Sequence, residues 1–71
     1  MKLRKYSIIA FYEGEEKESQ LFKYEQRALT KWNAVRIIAK KHGETMRNVK
    51  ERGKYFYFPK SKLYIMVVKV R

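Results

Sequence analysis

The C-terminal stretch of this chain, residues 54–71, contains two aromatic, β-rich runs joined by a short polar segment at residues 59–62. A four-residue loop there makes the two runs a β-hairpin, in which cross-strand partners share one face of the sheet. One face then carries Phe58 with Leu63, Phe56 with Ile65 and Lys54 with Val67. The other face carries Tyr57 with Tyr64, Tyr55 with Met66, and Val68. The first face predicts a core, against which the rest of this short chain must pack.

The first part of the chain predicts another hairpin. Residues 3–12 are rich in β-branched and aromatic side chains, and residues 19–24 form a second β-compatible run after a charged turn at Gly14. The register stays open, because loops of two and of four residues place Ile8, Ile9 and Leu21 on different faces. The turn holds Glu13, Glu15, Glu16 and Glu18, four of the seven acids. We interpret it as a solvated tip, since it lacks the ligand spacing of a calcium loop.

Between residues 25 and 42 the apolar period changes to about 3.6, which predicts an amphipathic helix laid on the sheet. Its stripe consists of Ala28, Trp32, Val35 and Ala39, flanked by Leu29 and Ile38. Trp32 is expected to anchor the helix on the core face of the last hairpin. Gly43 is a typical helix stop, and Lys40, Lys41 and His42 suit the negative end of the helix dipole.

Residues 44–52 fit a strand and a short helix almost equally, with a slight preference for a strand or an irregular arm that leads into the last hairpin. The sequence therefore predicts one α+β domain over residues 1–71. Its sheet is small and antiparallel, built of two hairpins in the order ββαββ, with room for an extra short strand or helix at residues 44–52. One amphipathic helix packs on one face.

The residue types exclude most catalytic and metal sites. The chain has no cysteine and no aspartate, and His42 is its one side chain that titrates near neutral pH. Sets of nucleophile, base and orienting group therefore cannot be assembled, nor can thiolate or multi-histidine metal sites. Phosphate loops of the G-x-x-x-x-G-K type are missing. We expect a protein that is not an enzyme, with no catalytic residue, no metal and no cofactor.

Charge is the main indication of function. The 18 Lys and Arg residues against seven acids give a net charge of +11, a field that attracts polyanions. Exposed aromatic rings interleaved with cations hold single-stranded nucleic acid by stacking and by backbone attraction. The sequence predicts a small basic protein that binds DNA or RNA through these residues: Arg36, Lys40, Lys41, Arg47, Lys50, Arg52, Lys54, Tyr55, Tyr57, Lys60, Lys62 and Tyr64. The sequence equally allows a second binding mode, in which the last hairpin enters a DNA major groove as a two-stranded ribbon with Lys60 and Lys62 at its tip.

The tyrosine-bearing face of the last hairpin has three interpretations that sequence does not separate. It is a stacking surface, the covered face of a homodimer, or ordinary packing of cross-strand aromatic pairs. The sequence also allows a homodimer that forms through an edge strand of the sheet.

The competing functional class is a protein-binding module that docks on an acidic protein and inhibits or recruits it. A compact Lys-, Glu- and Tyr-rich chain with this layout resembles the accessory proteins of bacteriophages and mobile elements. That resemblance implies an acidic host protein as the partner.

The N-terminal order of basic and then apolar residues is that of a signal peptide, but the apolar run is short and Glu13 follows it without a small-residue cleavage site. Nothing approaches the ~18 apolar residues that span a bilayer. The sequence therefore predicts a cytoplasmic protein without a membrane partner.

Overall fold

The computed structural model describes residues 2–14 and 17–70, apart from the side chain of Glu18. Its strands are β1 (Arg4–Tyr12), β2 (Phe22–Ala28), β3 (Lys50–Arg52), β4 (Tyr55–Phe58) and β5 (Leu63–Lys69). The helix α1 spans Lys31–Lys41, and single 3₁₀ turns cover Glu18–Gln20 and Met46–Asn48. Of the predicted acidic turn, Glu15 and Glu16 lie outside the described residues.

The five strands form one antiparallel sheet in the order β2-β1-β5-β4-β3. β5 lies at its centre, paired with β1 on one edge and with β4 on the other. The predicted α+β class, an antiparallel sheet with one helix, is confirmed for the part of the chain that is described. The predicted ββαββ order is not matched, because three strands follow the helix and not two.

The extra strand comes from residues 44–52, which are neither strand nor helix throughout. A 3₁₀ turn at Met46–Asn48 is followed by β3, and a tight turn at Gly53 and Lys54 then pairs Arg52 with Tyr55. Gly53 has a φ of 58°, in the left-handed region where glycine carries no Cβ penalty. The glycine lets the chain reverse at once, so the residues before it become an edge strand.

The register predicted for the last hairpin is confirmed in its ladder, which pairs Phe58 with Leu63, Tyr57 with Tyr64, Phe56 with Ile65 and Tyr55 with Met66. Lys54 is not part of this ladder, because it lies in the turn between β3 and β4. Lys62 ends the four-residue loop with a φ of 60°, and its carbonyl oxygen accepts a hydrogen bond from the Glu13 N–H at 2.7 Å. The loop is thereby tied to the end of β1.

The helix predicted from residue 25 begins later, because β2 continues to Ala28. β2 pairs with β1 from Ala10 opposite Phe22 to Arg4 opposite Ala28, a register that the sequence left open. Thr30 has extended backbone angles and its Oγ1 accepts the Asn33 N–H at 3.2 Å, so it is the N-cap of α1. The pairing of β2 with β1 satisfies backbone groups that a helical start at residue 25 would have removed from the sheet.

The core lies between α1 and one face of the sheet. The helix contributes Ala34, Val35, Ile38 and Ala39, all fully buried. The sheet contributes Ile8, Ala10, Phe56, Phe58, Leu63 and Ile65. The two alanines are small enough for the helix backbone to approach the strands closely, and Phe58 on β4 has no exposed surface. Within the described residues, no helix is long and apolar enough to cross a membrane.

Trp32 does not anchor this core, which corrects the sequence prediction. Its side chain is 46% exposed in the first turn of α1, and its ring meets Phe56 edge-on with 5.1 Å between centroids. At 100° per residue, Trp32 lies about a quarter turn away from the centre of the buried stripe. It therefore covers the border of the core and leaves much of the indole open.

His42 joins the end of the helix to the first hairpin. The Tyr12 hydroxyl lies 3.0 Å from His42 Nδ1, and the Tyr24 hydroxyl lies 2.9 Å from Nε2. The Phe22 ring packs edge-on at 5.0 Å between centroids, and Lys41 Nζ lies 5.5 Å from the Tyr24 ring centroid. Burial lowers the pKa of His42 below its ordinary value of 6.5, since desolvation penalises the charged form. His42 is therefore a neutral link between three elements, and the positive charge predicted for the helix end comes from Lys40 and Lys41.

Replacing Thr30 with alanine is expected to lower the free energy of unfolding by about 1 kcal/mol, because the first turn of α1 loses its side-chain acceptor. Thr45→Ala is the matched control: Thr45 precedes a 3₁₀ turn with the same extended backbone but makes no capping hydrogen bond. Urea denaturation of both variants measures the difference. Equal stabilities of the two variants would contradict the helix start at Lys31.

Lowering the pH from 7.5 to 5.5 is expected to destabilise the protein through His42. The unfolded chain binds a proton near pH 6.5, whereas the folded chain does so at lower pH, so stability falls as pH decreases through this window. The melting temperature of the native protein should fall more than that of His42→Gln, whose side chain does not titrate. If the melting temperatures of the native protein and of His42→Gln decrease equally with pH, then burial of His42 does not determine the pH dependence of stability.

Candidate nucleic-acid interface

The sheet has two unlike faces, because side chains alternate along each strand. α1 covers the face that carries Phe56, Phe58, Leu63 and Ile65. The other face, here called the open face, carries the following residues: Lys50 and Arg52 on β3, Tyr55 and Tyr57 on β4, Tyr64, Met66 and Val68 on β5, Lys5, Ser7, Ile9 and Phe11 on β1, and Lys23, Glu25 and Arg27 on β2. The predicted tyrosines and part of the predicted cations thus share one surface.

An aromatic cluster occupies one end of the open face. Phe11 stacks on Tyr64 with 5.3 Å between centroids and meets Tyr55 edge-on at 5.8 Å. Tyr57 packs against Tyr64 at 4.6 Å. Tyr57 is only 7% exposed and Phe11 only 9%, whereas Tyr55 and Tyr64 are half-buried. Two of the three predicted tyrosines therefore keep accessible ring surface, and Tyr57 does not.

Arg52 covers this cluster. Its guanidinium carbon lies 4.1 Å from the centroid of the Tyr57 ring, and Nη1 donates a hydrogen bond to the Tyr64 hydroxyl oxygen at 3.2 Å. A planar guanidinium on a ring face is a geometry that lysine cannot reproduce. Arg52 is thus engaged within the protein, which explains the burial of Tyr57.

Three of the predicted cations converge on one groove. Arg47 comes from the 3₁₀ turn, Lys50 from the start of β3 and Lys60 from the loop before β5. The groove is a shallow, open depression of about 540 Å³, lined by Arg47, Asn48, Val49, Lys50, Pro59 and Lys60. All three cations are exposed. The fold thereby brings together two segments separated in sequence, and forms a basic groove whose lining also includes Val49 and Pro59.

The basic groove continues along the outer edge of the sheet. Lys50 and Arg52 are exposed on β3, the edge strand, and Lys54 follows in the turn. Lys54 Nζ lies 5.7 Å from the Tyr55 ring centroid, which links this edge to the aromatic cluster. The residues Arg47, Lys60, Lys50, Arg52 and Lys54 are here called the basic edge.

The predicted helix cations lie elsewhere. Arg36, Lys40 and Lys41 are exposed on α1, which packs on the side of the sheet opposite the open face. Lys41 also rests over the Tyr24 ring. A ligand that lies flat on the open face therefore does not reach these three residues.

The last hairpin is not a free ribbon. β5 is flanked by β1 as well as β4, and the Lys62 carbonyl is bonded to the turn that follows β1. Lys62 is exposed beside Glu13, whereas Lys60 lines the groove. The two lysines predicted to share a ribbon tip thus belong to different surroundings.

Sequence reasoning missed two aromatic residues. Phe11 completes the cluster on the open face, and only the register of β1 with β5 places it opposite Tyr64. Trp32, predicted as core, leaves an exposed indole beside Lys31. Its position about a quarter turn from the centre of the buried stripe became clear only when Ala28 proved to lie in β2 and not in the helix. In the described residues, no group of three or more His, Asp or Glu side chains is placed to hold a metal ion.

Arg52→Ala is expected to lower the free energy of unfolding by about 1 kcal/mol, through loss of the guanidinium contact with Tyr57 and the hydrogen bond to Tyr64. Lys54→Ala removes the same charge from a more distant ring contact and should change stability much less. Chemical denaturation compares the two, and Arg52→Lys should resemble Arg52→Ala. If Arg52→Lys is instead as stable as the native protein, then Arg52 stabilises the fold through its positive charge alone and not through its planar guanidinium.

Comparison with known proteins gives no match to a family model, to a curated protein or to a solved structure.

Proposed function

We propose that this protein binds single-stranded nucleic acid, without catalysing a reaction, along the basic edge and the adjoining aromatic cluster. The observation that carries the proposal is the convergence of Arg47, Lys50 and Lys60 on one groove. Three cations near one another repel, so their accumulation is favourable when an anion neutralises them. A chain of phosphates supplies such an anion repeatedly along an edge.

The combination of cations and aromatic rings along this edge suits a nucleic-acid strand. Phosphates take the groove and the exposed ammonium groups of Lys50 and Lys54, while Tyr55 and Tyr64 offer half-buried rings to bases. Base stacking on an aromatic side chain contributes about 1 to 3 kcal/mol and tolerates any sequence. Arg52 fixes Tyr64 and keeps Tyr57 covered, so its part in binding is to hold the rings in place.

The net charge supports the same class of ligand. At +11 the whole chain attracts polyanions, and four of its seven acids fall within residues 13–18 of the sequence. Glu13, the first of them, donates its backbone N–H to the Lys62 carbonyl oxygen and is not among the residues that line the groove. A single strand is favoured over a duplex because the last hairpin is enclosed in the sheet and does not project as a ribbon.

The test removes three charges from the basic edge. Arg47→Ala, Lys50→Ala and Lys60→Ala combined should weaken binding of labelled single-stranded DNA or RNA and reduce the log-log salt slope by about 2, at ~0.7 per phosphate on single strands. Fluorescence anisotropy at several salt concentrations measures both. Arg52 stays unchanged so that the aromatic cluster remains intact.

The matched control is a second triple variant, Arg36→Ala, Lys40→Ala and Lys41→Ala, which lowers the net charge by the same amount on the opposite side of the sheet. It should retain most of the binding and the slope. Equal losses in both variants would show attraction by net charge alone, and the absence of binding to any single or double strand at low salt would disprove the proposed function. Thermal melting confirms that both variants fold.

A further inference from the structure

The open face has a second region that the proposed function does not use. Its centre is aliphatic: Met66 and Ile9 are paired across β5 and β1, and Val68 is 54% exposed. Val70 extends the row, since its N–H donates to the Lys5 carbonyl oxygen at 2.9 Å, and it is 38% exposed. The residues Ile9, Met66, Val68 and Val70 are here called the aliphatic strip.

The aliphatic strip is bordered mainly by positive charge. The face as a whole bears five cationic side chains: Lys5, Lys23 and Arg27 on β1 and β2, beside the strip, and Lys50 and Arg52 on β3, at the basic edge. Its one carboxylate on the described strands, Glu25, is already paired with Lys5 at 2.9 Å between Nζ and Oε2. An apolar centre with a cationic border complements a ligand that is apolar in the middle and acidic at its sides.

We infer that the aliphatic strip docks an acidic, amphipathic peptide segment of another protein. The apolar side chains of that segment cover Val68, Val70 and Met66, and its carboxylates meet the border cations, such as Arg27. This inference does not depend on nucleic-acid binding, which uses the other end of the face and its outer edge.

Two other occupants fit the surface less well. A base needs a ring to stack on, and the strip has no aromatic side chain. A second copy of the chain would bring the same cationic border against itself, with Glu25 already engaged by Lys5. Like charges brought together across an interface disfavour that association. The observed charges therefore select an acidic partner.

The experiment uses a synthetic peptide of about 16 residues, with leucines at helical i, i+3, i+4 spacing and glutamates elsewhere. Binding to the native protein is followed by fluorescence anisotropy of the labelled peptide. A scrambled peptide of the same composition keeps the charge but loses the apolar side, and a version with lysines in place of glutamates reverses the charge. We expect binding of the first peptide and a loss of about tenfold or more for both others.

Variants of the protein locate the site. Val68→Thr with Val70→Thr keeps β-branched side chains at exposed positions and should weaken peptide binding about tenfold, whereas Leu29→Thr, at a residue that is 39% exposed beyond the end of β2, should not. Arg27→Glu should weaken the acidic peptide and leave oligonucleotide binding nearly unchanged. Melting curves establish that each variant is folded.

Three outcomes would overturn the inference. If the scrambled peptide binds as tightly as the amphipathic peptide, then binding depends on net charge alone and not on the apolar side of the peptide. A native dimer in sedimentation equilibrium that Val68→Thr with Val70→Thr converts to monomer would assign the strip to a second copy. Weakened oligonucleotide binding in that same variant, with peptide binding unchanged, would assign it to nucleic acid.

Discussion

Backbone pairing of β5 on both of its edges is the constraint on which the rest of this structure depends. Because β1 and β4 both bond to it, β5 cannot leave the sheet, and its side chains are divided strictly between two faces. Leu63 and Ile65 are enclosed beneath α1, while Tyr64, Met66 and Val68 are turned to the other side. A slip of one residue would exchange these sets and expose the core, so the register is strongly specified.

The helix uses small residues to complete that core, and a histidine to hold its end. Ala34 and Ala39 permit close contact with the sheet, and His42 bonds to tyrosines on β1 and β2 through both ring nitrogens. A domain of this length buries only about 60% of the surface that its unfolded chain exposes. Polar links of this kind therefore matter more here than in a larger protein, and the neutral state of His42 keeps this link free of an unpaired buried charge.

The open face combines two chemically different regions. At one end Arg52 lies over Tyr57 and binds Tyr64, so that the aromatic rings form a small core of their own with a cationic cover. At the other end Val68 and Val70 are exposed in the described part of the chain. β3 contributes to this difference by placing Arg52 beside the rings, and its exposed charges also discourage strand pairing with other chains at this edge. Arg52 thus stabilises the aromatic cluster, while the exposed cations beside it provide the attraction proposed for function.

The sequence by itself determined the α+β class, the last hairpin with its pairing from Phe58 and Leu63 to Tyr55 and Met66, and the separation of an apolar face from a tyrosine face. These follow from local alternation and from the length of one loop, which a single stretch of chain contains. Tertiary structure decided what depends on distant segments. The pairing of β1 with β2 places Ala28 in a strand, so the predicted helix stripe loses its first residue. Trp32 then lies at the border of the core. The same pairing brought Phe11 onto Tyr64, and the turn at Gly53 created β3 and set Arg52 over Tyr57. The groove of Arg47, Lys50 and Lys60 likewise exists only in the folded chain, because the free energy that brings these like charges together comes from burial of the hydrophobic core and not from the charges themselves.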